Sequence, residues 1–72
     1  MNRKQAEKEV DKLVAKLREI RLEQGISHEK LANLTGLNRS TISLTESRKS
    51  QPTVLTLVLI ADALDVNLKE IL

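Results

Sequence analysis

Few side chains in this chain could take part in covalent chemistry. It has no cysteine and a single histidine, His28. Disulfides, thiol nucleophiles, iron–sulfur clusters and thiolate zinc sites are therefore excluded. A metal site would need carboxylates gathered around His28, and the sequence gathers none. No nucleophile–base pair stands out, and 72 residues leave little chain from which to build a pocket. The expectation is a protein that is not an enzyme and holds no cofactor or metal. What the middle of the chain offers instead is positive charge and hydrogen-bond donors. Across residues 25–52, Lys30, Arg39, Arg48 and Lys49 face only Glu29 and Glu46. Such a surplus suits a polyanion, although two extra charges on a short stretch also fit an ordinary solvated surface. Residues 53–72 carry the opposite balance, Lys69 against Asp62, Asp65 and Glu70, while the whole chain is +2. Phe, Tyr and Trp are absent, which removes the aromatic platforms on which single-strand and RNA binders stack bases.

These residues have to be positioned by helices. At 8.1 kDa there is room for one domain. Ala6, Val10, Leu13, Leu17 and Ile20 recur at intervals of four, three, four and three, with Val14 widening the stripe. That spacing is one face of a helix from Gln5 to Gln24, and Gly25 is its natural stop. Ser27 is a good N-cap for a second helix, with Glu29 in its first turn where the helix dipole favours negative charge. Gly36 closes that helix, and Asn38 caps a third that runs through Ile42 to Glu46. Pro52 forbids helix through the polar stretch before it. Thr53 caps a fourth helix, Val54 to Leu64, which is almost wholly apolar. Asp65-Val66-Asn67 is a turn, and Leu68 to Leu72 can form a last helical turn. No window alternates as a strand does. No apolar run nears the ~20 residues of a membrane span, and Met1-Asn2-Arg3-Lys4 leads into no signal-peptide core. A cytoplasmic protein without a membrane partner is expected.

Two short helices joined by a tight Gly-containing turn form the arrangement that can place a helix in the DNA major groove. Particular residues sharpen this. The run Ile26-Ser27-His28-Glu29-Lys30-Leu31-Ala32, then Gly36-Leu37-Asn38-Arg39-Ser40-Thr41-Ile42-Ser43, then Glu46 and Pro52, resembles the phage-repressor (Xre/Cro-like) helix-turn-helix family. Arg21 upstream and Ile60-Ala61-Asp62-Ala63-Leu64-Asp65-Val66 downstream continue the likeness. The resemblance implies an all-α fold, a compact four- to five-helix lambda-repressor-like DNA-binding domain over 13–72 with its motif at 27–46. Residues 1–12 form an extension of the first helix.

It also implies roles. The partner is double-stranded DNA. The first residues of the third helix point into the groove, so Arg39 and Ser40 are the expected base readers, Arg39 by forking onto guanine O6 and N7. Ser43 lies one turn on. Ser27, His28 and Asn38, at two helix N-termini, are expected at phosphates, with Ser47, Arg48 and Lys49 extending the contact. Arg21 and Glu46 form the ion pair of the family. Leu31, Ile42, Val54, Leu57, Val58, Ala61 and Leu64 are expected to build the core with Leu13, Leu17 and Ile20.

Some positions depart from the family pattern. Position 48 is usually Gly, so Arg48 must either adopt a positive φ or take another path. Thr45 replaces a larger apolar residue. Leu44 stands where a groove-facing polar residue is usual, and could touch a thymine methyl. Leu55 and Leu59 replace charged residues and share one side of the fourth helix. With Leu68 and Leu72 they are candidates for a dimer contact. The function expected is a sequence-specific regulator, a repressor, acting as a homodimer on a palindromic operator. Two alternatives use the same fold: an antitoxin or restriction–modification controller, with a toxin or other protein as partner, and a protein-interaction module that has lost DNA binding.

Overall fold

A side-chain oxygen starts every helix of this chain, and the glycines end two of them. The computed structural model describes all 72 residues, as α1 Arg3–Glu23, α2 His28–Thr35, α3 Arg39–Glu46, α4 Val54–Ala63 and α5 Leu68–Ile71. Ser27, Asn38 and Thr53 accept from the backbone N–H groups of Lys30, Thr41 and Thr56, as their positions in the sequence predict. α1 begins two residues earlier than its apolar stripe suggests, because Asn2 and Gln5 form a reciprocal cap. Asn2 Oδ1 accepts from the Gln5 N–H at 2.8 Å, and Gln5 Oε1 accepts from the Asn2 N–H at 2.9 Å. Gly36, at φ +76°, turns the chain out of α2.

The helices pack so that α2 lies against α3 and α4, while α1 crosses behind both α3 and α4. At 21 residues α1 is roughly 31 Å long, which accounts for most of the 35 Å longest dimension. Its first turns stay helical ahead of the core, and Val10 packs against the core's edge. The core comprises Leu13, Val14, Leu17, Leu31, Ile42, Leu57, Ile60, Ala61 and Leu64.

Two residues expected in the core lie outside it. Val54 is 76% exposed and Val58 46%, whereas Ile60 and Thr56 are buried. α4 is apolar nearly all the way round, and such a helix carries no phase that identifies its inner side. The hydroxyl of Thr56 is accommodated because Thr53 Oγ1 donates to it at 3.1 Å. Leu68, expected at a dimer surface, is half-buried and packed on the chain's own core, because α5 folds back across it. Leu59 is half-buried, while Leu55 and Leu72 are strongly exposed. Thr45 is buried at the place where a larger apolar residue was missing.

Candidate nucleic-acid interface

The motif is held open by its turn and pinned by two fully buried side chains. Leu31 from α2 and Ile42 from α3 are wholly inaccessible to solvent. Between them Thr35 Oγ1 donates to the Leu31 carbonyl at 2.8 Å and accepts from the Leu37 N–H at 3.2 Å. The chain therefore leaves α2 and re-enters α3 along one fixed path. Burial of Ile42 and Thr45 sets the rotation of α3. Arg39, Ser40, Ser43 and Leu44 consequently all face solvent, on one side of an eight-residue helix. The sequence placed these four at the groove, and the structure gathers them on a single outward face.

The residues expected at phosphates divide into two groups. Ser27 and Asn38 have their side-chain oxygens engaged as caps; Asn38 Oδ1 also accepts from Thr41 Oγ1 at 3.0 Å. What they present outward is the run of N–H groups at the start of each helix. Ser47 donates its hydroxyl to the Leu44 carbonyl at 3.2 Å, and Lys49 is exposed with no ion pair.

Arg48 points elsewhere. Its backbone takes a left-handed conformation at φ +59°. Its Nε donates to Asp11 Oδ1 at 2.7 Å, one terminal nitrogen to the Ser50 carbonyl at 3.2 Å, and the other to Gln51 Oε1 at 2.9 Å. All three nitrogens thus bind the loop and α1, which makes this side chain a brace between them. Asp11 is 37 residues away in sequence, and nothing local could have announced it.

His28 also has a partner that the sequence did not suggest. Its Nε2 lies 2.9 Å from Glu46 Oε1, at the end of α3. Glu46 is the centre of a cluster. Arg21 Nε donates to its Oε2 at 2.7 Å, Arg21 Nη2 to its Oε1 at 2.9 Å, and Arg18 Nε stands 3.6 Å from the same Oε1. Arg21 Nη1 reaches the Ile26 carbonyl at 2.7 Å. Burial alone would push the Glu46 carboxyl upward, but the hydrogen bonds and charges of Arg21 and His28 outweigh it and hold it below its ordinary value. The ion pair expected from the family pattern is present. Arg18 was not singled out from the sequence, although it precedes Arg21 by three residues and so lies on the same side of α1.

A family model described as Helix-turn-helix matches residues 17–71 of the chain, from the last third of α1 to the end of α5. The chain belongs to the helix-turn-helix family. It is a DNA-binding regulator of transcription of the Xre-like kind within that family. Two solved structures resemble this helix-turn-helix protein over most of its length. A point mutant of the restriction–modification controller protein C.Esp1396I is 32% identical, with a TM-score of 0.79, covering 88% of this chain and 86% of its own. The restriction–modification controller protein C.AhdI from Aeromonas hydrophila is 33% identical, with a TM-score of 0.78, covering 88% of this chain and 96% of its own. No curated protein matches the chain significantly. Asp11, which braces Arg48, falls outside the part of the helix-turn-helix protein that the family model describes.

Proposed function

We propose that this protein is a controller-type regulator that binds a two-fold-symmetric operator as a homodimer, reading bases with α3. The outward set of Arg39, Ser40, Ser43 and Leu44, opposite the buried Ile42 and Thr45, carries the reading. Arg39 supplies the fork for guanine, the serines supply short donors and acceptors, and Leu44, 42% exposed, supplies apolar contact for a thymine methyl. The N–H groups after Ser27 and Asn38, together with Lys49, hold the backbone and fix the approach. Solved relatives described as restriction–modification controllers favour that role over an antitoxin.

A second copy supplies the other half-site. Val54, Leu55 and Val58 form an apolar stripe along the outer side of α4, which a solvated monomer has no reason to display. Pairing there would bring two recognition helices into successive major grooves about 34 Å apart. The protein regulates by occupying DNA, with no catalytic step. No helix is long and apolar enough to cross a membrane, and a DNA partner supports the reading of a cytoplasmic protein.

Selection of bound sequences from a random duplex pool tests this reading. A two-fold-symmetric site is expected, with Arg39→Ala losing about 1–3 kcal/mol of discrimination at one base pair per half-site. Recovery of no preferred sequence by the folded protein would overturn it.

A further inference from the structure

The cluster around Glu46 holds more positive charge than one carboxylate can neutralise. Arg21 takes both carboxylate oxygens, and His28 takes Oε1 as well. Arg18 therefore meets an acceptor that already has two donors at 2.9 Å, and it stays at 3.6 Å, beyond hydrogen-bonding reach. It forms no hydrogen bond elsewhere in the protein, and its side chain is 55% exposed. Three other cations of α1 find acids along the helix, Arg3 with Glu7, Lys12 with Glu9 and Lys16 with Glu19, while Lys4 and Lys8, ahead of the core, have none. The residues three and four away from Arg18 are Val14, Ala15, Arg21 and Leu22, so α1 offers it no acid.

We infer that Arg18 is a DNA phosphate-binding residue, held by Glu46 in a pose that leaves its guanidinium donors directed to an incoming phosphate. The inference rests on the DNA-binding reading and adds to it a contact from α1. Glu46 acts here by position: it keeps the Arg18 head beside His28, the first residue of α2, at the end of the motif where that helix begins. A guanidinium suits the task because its planar fork matches two phosphate oxygens at once. The contact carries no base information, so it strengthens operator and non-operator binding together.

Salt dependence measures it directly. Each phosphate neutralised contributes about 0.9 to the slope of log K against log salt concentration. Anisotropy titrations of the selected operator duplex and a scrambled duplex would be run between 50 and 200 mM KCl, approximate limits chosen for the sensitivity of that slope. Arg18→Ala should weaken binding to both duplexes alike and reduce the slope by about 0.9 per half-site contact. Arg18→Lys should keep the slope, because it keeps the charge. An unchanged slope in Arg18→Ala overturns the inference, whether or not affinity falls. A slope unchanged alongside lowered thermal stability would show that Arg18 only supports the fold. Loss of base preference in Arg39→Ala with no effect of Arg18→Ala would leave the regulator intact and remove this contact alone. Absence of salt-sensitive binding by the unaltered protein would remove both.

Discussion

Arg21 and Glu46, 25 residues apart, meet through two hydrogen bonds of 2.7 and 2.9 Å that tie α1 to the end of the recognition helix. Both side chains are about nine-tenths buried. Truncating one partner leaves the other charge desolvated, and for buried pairs this costs about 3–5 kcal/mol. Arg21→Ala also strips the Ile26 carbonyl of its donor. A domain of this size has roughly 4–11 kcal/mol in all, so Arg21→Ala should lose a large fraction of its stability. Urea unfolding followed by circular dichroism would measure it. A loss below about 1 kcal/mol would mean that the pair behaves as a surface contact.

The same carboxylate makes stability depend on acidity. The folded-state pKa of Glu46 is depressed, so the folded state binds fewer protons there than the unfolded chain does. Its contribution is complete above the ordinary glutamate value of about 4.3 and is lost as pH falls through the folded-state value. Thermal melts should show stability dropping below about pH 4.3, on the scale of ordinary carboxylates. The drop should be shallower in Glu46→Gln. Equal acid sensitivity in the two proteins would place the effect on other carboxylates.

Arg48 sets a brace against a strained backbone. Its left-handed φ of +59° is easy only for glycine, while its side chain links Asp11, Ser50 and Gln51. Arg48→Ala keeps the strain and loses the links, and should be destabilised by about 0.5–1 kcal/mol, since the Asp11 contact is partly exposed. Arg48→Gly removes both and should be more stable than Arg48→Ala by about 1 kcal/mol. Chemical denaturation of the two variants side by side decides the point. If alanine and glycine behaved alike, the backbone conformation would not be held at this residue.

The outer side of α4 gives a test of assembly. Val58 is 46% exposed and Leu55 67%, so Val58→Asp or Leu55→Glu should leave the helical signal and melting of the monomer within about 0.5 kcal/mol. If copies pair across this stripe, sedimentation should shift from dimer to monomer, with weaker operator binding. A variant that still sediments as a dimer would move the interface to another surface.

Most of the framework was legible in the chain because its signals are local. Ser27, Asn38 and Thr53 each cap the backbone N–H three residues on, and Gly36 turns the chain within one residue. Such features need no knowledge of distant partners. The apolar face of α1 was equally clear, since charged residues mark its outer side. The outward position of Arg39, Ser40, Ser43 and Leu44 followed once the motif was seen. The phase of α4 was different. With Val54, Leu55, Val58 and Leu59 as apolar as Leu57 and Ile60, only packing against α1 and α2 could choose the buried side. The directions of Arg48 and His28 were likewise decided by Asp11 and Glu46, which lie 37 and 18 residues away. Caps and turns are settled by neighbours a few bonds apart, so the sequence determines them alone. The partner of a long charged side chain is settled by whichever opposite charge the fold brings within reach, and that only the tertiary structure decides.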